Sequence, residues 1–273
     1  MICFPNAKIN IGLNIVEKRP DGFHNLESIF YPVGLCDVLE IVKNDKGIEQ
    51  VELYNTGLKI SGNINDNSCV KAYLMLHEDY SILPVKIHLH KVIPFGSGLG
   101  GGSADAAFTI KCLNEIFELK LSKDKLLQYA MKIGSDCGFF IDNKVSYIEG
   151  RGEIINPVEL NLSNYYIVIL NPEIHISSKE AYSYVLPEKP AEKLKQKVNM
   201  LCNDWKDVVT NDFEKEILKR YPKIKECKDL LFETGAIYAS MTGSGSAVYG
   251  IFDKMPKVEN SAISHYVVWK GKM

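Results

Sequence analysis

The residues most able to do chemistry lie in one run, Pro94-Phe95-Gly96-Ser97-Gly98-Leu99-Gly100-Gly101-Gly102-Ser103, with five glycines in seven positions. Glycine takes positive φ without steric cost and lets another group approach the backbone N–H closely. The run follows an alternating apolar stretch and precedes a helical pattern beginning at Ser103 and Ala104. A helix start points unpaired N–H groups and the positive end of its dipole at whatever lies before it. A polyphosphate suits such a place, and a plain surface turn needs no such density of glycine. The run is not a G-x-x-x-x-G-K-[ST] loop, since no lysine follows the glycines. Gly96, Gly98 and Gly101 do meet G-x-G-x-x-G, but a dinucleotide site wants an acid ending a second strand about 20 residues on. There, Glu115 to Leu119 still reads as helix. The H-R-D and D-F-G companions of protein kinases are absent.

Three further segments carry reactive groups: Ala7-Lys8-Ile9-Asn10, Gly134-Ser135-Asp136-Cys137 and Met241-Thr242-Gly243-Ser244-Gly245. A carboxylate can accept the proton of an attacking hydroxyl, and a nearby ammonium favours its charged form. Taken singly, Lys8 would be a surface charge on a strand and Asp136 a turn residue. In this order around the glycine run, the segments resemble the galactokinase, homoserine kinase, mevalonate kinase and phosphomevalonate kinase (GHMP) superfamily. Asp21-Gly22-Phe23-His24-Asn25-Leu26 and Ser28-Ile29-Phe30 narrow the resemblance to the branch acting on a cytidine diphosphate-linked sugar alcohol. It covers nearly the whole chain.

The resemblance implies an α+β fold of two lobes, residues 1–153 and 154–273, with substrate in the cleft between them. The first lobe would be like ribosomal protein S5 domain 2 and the second an α/β sandwich. It implies Lys8 and Asp136 as the catalytic pair, and Pro94 to Ala104 as the ATP loop, with Asn67 and Lys91 on the nucleotide side. Mg²⁺ would accompany ATP, without an evident protein ligand. Phe23, Phe30 and Tyr182 would surround the cytosine, His24 would read its edge, and Asn10 and Ser178 would make polar contacts with the substrate. Two residues depart from the family pattern: Phe23 stands where tyrosine is commoner, and Gly138 where proline is usual. The partners implied are ATP and the small substrate, in a monomer or weak homodimer. A sibling kinase would leave Asp21 to His24 without a task. A regulator that binds nucleotide without catalysis would leave Lys8 and Asp136 unexplained.

Several elements must position these groups. Ile9, Ile11, Leu13 and Ile15 alternate with polar residues, which predicts a half-buried strand. Strands are also expected over residues 38–42, 50–54, 85–89, 165–170, 237–241 and 247–252. Helices are expected from Asp66 or Asn67 as N-cap to Tyr80, then over 103–119, 123–133, 179–185, 205–220 and 222–234. The elements are segregated rather than strictly alternating, which suggests α+β. A boundary is expected between Ile148 and Tyr165.

The chain has 273 residues and a formal net charge of -2. A chain of this size buries roughly three quarters of its unfolded surface and needs no disulfide staples. The near-neutral charge argues against nucleic-acid binding, which wants a basic footprint. Lys193, Lys195 and Lys197 read as a solvated segment. Seven scattered cysteines without a C-x-x-C pair read as free thiols, not a zinc site. The histidines His77, His88, His90, His175 and His265 show no metal-ligand spacing and read as surface or satisfied groups. The N-terminal residues show no basic and apolar targeting pattern, and no apolar run reaches the ~18 residues of a membrane helix. A cytoplasmic setting, away from membranes, is expected.

Overall fold

The computed structural model describes residues 1–45, 49–60, 62–259 and 261–273. Its strands are β1 (Ile2–Cys3), β2 (Asn6–Lys18), β3 (His24–Cys36), β4 (Val38–Lys43), β5 (Val51–Gly57), β6 (Val85–Lys91), β7 (Ser146–Gly150), β8 (Ile154–Pro157), β9 (Tyr166–Leu170), β10 (Tyr238–Met241), β11 (Val248–Phe252) and β12 (Val267–Lys272). Its helices are α1 (Ser68–Tyr80), α2 (Gly101–Ile116), α3 (Lys123–Ile133), α4 (Phe139–Asp142), α5 (Ser178–Ser183), α6 (Leu194–Lys197), α7 (Glu214–Arg220) and α8 (Pro222–Glu233). The described strands form three four-stranded sheets, ordered β1-β4-β6-β5, β2-β3-β7-β8 and β10-β11-β9-β12.

The chain divides into two compact units. The first holds Met1–Ala7, Leu35–Phe95 and Gly100–Lys144; the second holds Lys8–Gly34, Gly96–Leu99 and Val145–Met273. In the first, β6 pairs antiparallel with β4 and parallel with β5. The parallel pair needs a crossover, and α1 supplies it. Val85, Ile87 and Leu89 are buried while His88 and His90 face outward, as their alternation predicts. Both outward histidines reach the Thr56 hydroxyl, at 3.0 and 2.9 Å. The N-cap of α1 is Asn67, whose side chain accepts the Cys69 amide at 2.9 Å.

In the second unit, β9 lies between β11 and β12, antiparallel to both. Ile167 to Leu170 are all buried, so this strand has no wet face. Pro222 opens α8, where a missing N–H costs nothing.

The structure corrects several expectations. The strand β2 is buried on both sides from Asn6 to Ile15, because its polar residues Lys8, Asn10 and Asn14 are buried too. The helix expected over 205–220 begins only at Glu214. Ahead of it, Leu13 bridges to Asn211, and the Asp212 carboxylate accepts the Ile15 amide at 2.7 Å. These long-range bonds outweigh helix propensity in that stretch. The helix α2 starts at Gly101, inside the glycine run. The strands β1, β3, β7, β8 and β12 escape the sequence pattern altogether.

Candidate active site

Three alternate glycines of the loop have positive φ: Gly96 at 62°, Gly98 at 83° and Gly100 at 74°. At Gly98 a Cβ would lie 1.8 Å from the Thr242 carbonyl oxygen, and at Gly245 a Cβ would lie 2.2 Å from the Ser97 carbonyl carbon. The 96–99 segment and the Thr242–Gly245 turn therefore pack backbone to backbone. Gly101 and Gly102 differ. Gly101 is close-packed, with Ile93 Cγ2 at 2.8 Å and Lys91 Nζ at 2.9 Å from where its Cβ would stand. Around Gly102 the nearest atom to a Cβ is Ser68 Oγ at 3.6 Å. The N-cap of α2 is Gly100, and no side chain caps the first amides of this helix. Those amides and the dipole they end form an anion-binding surface.

Lys8 is 2% exposed. Its ammonium donates to Asn10 Oδ1 at 2.6 Å and to the Gly98 carbonyl at 3.0 Å, and it lies 4.4 Å from the centre of the Phe30 ring. Asn10 is itself fixed. It donates from Nδ2 to Ser28 Oγ at 2.8 Å, and its amide donates to Thr242 Oγ1 at 3.1 Å. Thus Lys8, Asn10, Phe30, Gly98 and Thr242 form one cluster in the second unit. Phe30 is 3% exposed and Asn10 2% exposed, so Phe30 shows little open ring face and Asn10 little open polar edge.

Asp136 lies in a 3-10 turn, Ser135–Gly138, and is half-buried. The next residue, Cys137, is buried, and burial pushes its thiol up to about 12. The Asp136 turn packs against α2. Gly138, where proline is usual, has φ -59° and ψ -36°. A proline ring would fix nearly the same φ, so the departure leaves the path of the turn unchanged.

Phe23 follows a turn at Asp21-Gly22 and is 54% exposed, as the dipeptide suggests. The Arg151 guanidinium lies 4.2 Å above its ring. His24 stacks on Tyr182, with ring centres 4.9 Å apart, and Tyr182 meets Phe213 edge-on at 5.0 Å. Burial, and then the Lys18 charge, lower the pKa of His24. A neutral imidazole offers one donor and one acceptor to a base edge. Ser178 shares a hydrogen bond with Ser244 at 3.1 Å.

Lys91 has partners that its place in the sequence does not show. Its ammonium is 1% exposed and sits between the carboxylates of Asp37, at 2.5 Å, and Asp105, at 2.7 Å. Burial works to lower its pKa, but the two carboxylates prevail and hold it above the ordinary value. Asp37 also accepts the Val92 and Ile93 amides, at 2.6 and 2.8 Å. The Lys91 side chain is therefore paired with Asp37 and Asp105 at the entry to the glycine loop. Burial pushes the Asp105 carboxyl up to about 7, and its Oδ1 is buried without a hydrogen-bond partner. Neither aspartate stands out in the sequence. His175, read there as a surface or satisfied group, packs its Nδ1 2.8 Å from where a Cβ on Gly96 would stand. Only tertiary structure brings these residues to the loop. Among the described residues, no group of three or more His, Cys, Asp or Glu side chains gathers to hold a metal.

The model for the GHMP kinases N terminal domain matches residues 67–147, and that for the GHMP kinases C terminal matches residues 186–267. A Bacteroides thetaiotaomicron protein named 4-diphosphocytidyl-2-C-methyl-D-erythritol kinase is 49% identical over 253 residues, covering 93% of this chain and 92% of its own. A Parabacteroides distasonis protein of the same name is 45% identical over 274 residues, the full length of both. A crystal structure of 4-(cytidine 5'-diphospho)-2C-methyl-D-erythritol kinase superimposes with a TM-score of 0.78 at 28% identity, covering 92% of this chain and 89% of that one. Methanococcus jannaschii mevalonate kinase shares the fold, with a TM-score of 0.67 at 17% identity over 92% and 90% of the two chains.

Proposed function

The chain belongs to the GHMP kinases and, among them, to the 4-diphosphocytidyl-2-C-methyl-D-erythritol kinases, and from that premise we propose how its residues carry the reaction. The protein is an ATP-dependent kinase of the non-mevalonate isoprenoid precursor pathway. It phosphorylates the 2-hydroxyl of 4-diphosphocytidyl-2-C-methyl-D-erythritol, leaving ADP. Its reaction belongs to biosynthesis in the cytoplasm. No described helix is long and apolar enough to cross a membrane. The two family matches fall on either side of residue 153, in keeping with functional lobes over 1–153 and 154–273.

The observation that carries the assignment of roles is the packing of a carboxylate-bearing turn against an uncapped helix start. In our reading the amides of Gly96 to Ala104 hold the ATP phosphates. Phosphoryl transfer has a loose transition state and depends on positioning and charge more than on covalent help. Asp136 accepts the proton of the 2-hydroxyl as that oxygen attacks the γ-phosphorus. Lys8, kept rigid by Asn10 and Phe30, supplies positive charge to the same hydroxyl. Phe23 and Tyr182 flank the cytosine, His24 reads its edge, and Ser178 contacts the substrate. Asn67, at the cap of α1, serves the nucleotide. Mg²⁺ held with ATP would supply positive charge to the transferring phosphate.

ATP turnover measured with the cytidine substrate, with homoserine and with mevalonate tests this reading. We expect ADP formation that depends on the cytidine substrate alone. Equal turnover with homoserine or mevalonate, or ATP hydrolysis indifferent to the acceptor, would overturn it.

A further inference from the structure

Outside the proposed site, the first unit brings two thiols together. Cys3 of β1 and Cys112 of α2 have their Sγ atoms 3.2 Å apart, 109 residues apart in the chain. A disulfide bond is about 2.05 Å long, so closing the gap needs a shift of roughly one ångström. We propose that Cys3 and Cys112 form an oxidation site, which a hydroperoxide converts to a disulfide fastening β1 to α2. Neither residue belongs to the proposed site.

The surroundings divide the labour between the thiols. The hydrogen bond that the two thiols share lowers Cys112; burial and the Glu115 charge oppose this, the N-terminal ammonium and Lys111 assist, and Cys112 ends below its ordinary value. The same bond, with burial, raises Cys3. The other five cysteines, Cys36, Cys69, Cys137, Cys202 and Cys227, are all raised, with burial as the first cause. Cys112 alone is shifted toward the nucleophilic thiolate. Cys3 is only partly buried and opens the pair to a small oxidant, whereas Cys112 lies beneath it.

The chemistry balances with a hydroperoxide as the oxidant. The Cys112 thiolate attacks one peroxide oxygen and the O–O bond breaks. The departing oxygen takes the Cys3 proton and leaves as water, or as an alcohol from an alkyl hydroperoxide. Cys112 is then a sulfenic acid. The Cys3 thiolate attacks its sulfur, the S–S bond forms and the S–O bond breaks, and the hydroxide takes a proton from solvent to leave as water. Two thiols are oxidised by two electrons, and one peroxide is reduced.

The test is hydrogen peroxide treatment of the whole folded protein, alkylation of remaining thiols, and peptide mapping by mass spectrometry without reductant. We expect a Cys3–Cys112 cross-linked peptide lacking two hydrogens, restored to two alkylatable thiols by dithiothreitol. In Cys3→Ser the reaction should stop at a Cys112 sulfenic acid that a 1,3-diketone probe traps. Cross-links among other cysteines in place of this one, or Cys3 and Cys112 both fully alkylatable after treatment, would overturn the proposal. So would a Cys3→Ser protein whose Cys112 takes up no probe while wild-type Cys112 oxidises.

Discussion

Asp136→Asn keeps the shape of the side chain but cannot take a proton. If Asp136 is the general base, kcat should fall about 10² to 10⁴-fold with little change in the KM of either substrate. A kcat within a few-fold of wild type would remove the base from the mechanism. Asp105 gives a prediction of a different kind. Its carboxyl is raised from an ordinary 3.8 to about 7 by burial, so the folded chain holds a proton that the unfolded chain releases. Its contribution is therefore most favourable below 3.8 and is lost as pH rises through about 7. Melting curves of wild type and Asp105→Asn should diverge with rising pH over that window, the variant losing less. Parallel curves would contradict the assignment. At this scale the sequence conveyed the identity of reactive residues better than their partners. Lys8 and Asp136 are recognisable from their motifs. The clamp of Asp37 and Asp105 on Lys91 joins three distant segments and leaves no mark in local spacing. The same is true of Asn10, which reads as a substrate contact but spends its side chain on Lys8 and Ser28.

The glycine loop shows how much an element's sequence conveys. Its density of glycine marks a backbone that must come close to something, yet composition cannot say which glycine meets which neighbour. Gly98→Ala would set a Cβ against the Thr242 carbonyl at positive φ, and the chain should fold poorly or lose ATP binding altogether. Gly102→Ala has room within the protein and lies in a helix, where alanine is favoured by roughly 0.5–1 kcal/mol. The variant should melt higher than wild type while its ATP KM rises, because the new methyl lies in the path of the phosphates. Thermal melts paired with ATP titration check this, and an unchanged ATP KM would move the phosphates away from Gly102. Helices with strong caps, such as α1 and α3, were readable nearly to the residue. The stretch over 205–213 was not, since its backbone bonds to Leu13 and its Asp212 carboxylate to the Ile15 amide, far away in the chain. The strand β3 escaped notice because His24 to Cys36 mixes polar site residues with core residues and breaks the alternation.

Over the whole molecule, the order of motifs along the chain carried the reading of fold and activity. Lys8, the glycine run, Asp136 and the Thr242 turn stand in one sequence of segments, and the compact units divide that sequence several times. No window of periodicity could convey such interleaving. Substrate choice belongs to this scale as well. His24→Ala should raise the KM of the cytidine substrate at least tenfold, on the order expected when a base edge loses its partner, and leave the KM of ATP unchanged; steady-state kinetics with each substrate varied in turn would show it. The central claim is tested most directly by following ³¹P resonances while the protein acts on ATP and 4-diphosphocytidyl-2-C-methyl-D-erythritol. The account predicts one new phosphomonoester on the 2-hydroxyl, growing in step with ADP, while the cytidine diphosphate resonances persist. ADP with inorganic phosphate and no new ester, or an ester on another hydroxyl, would contradict it.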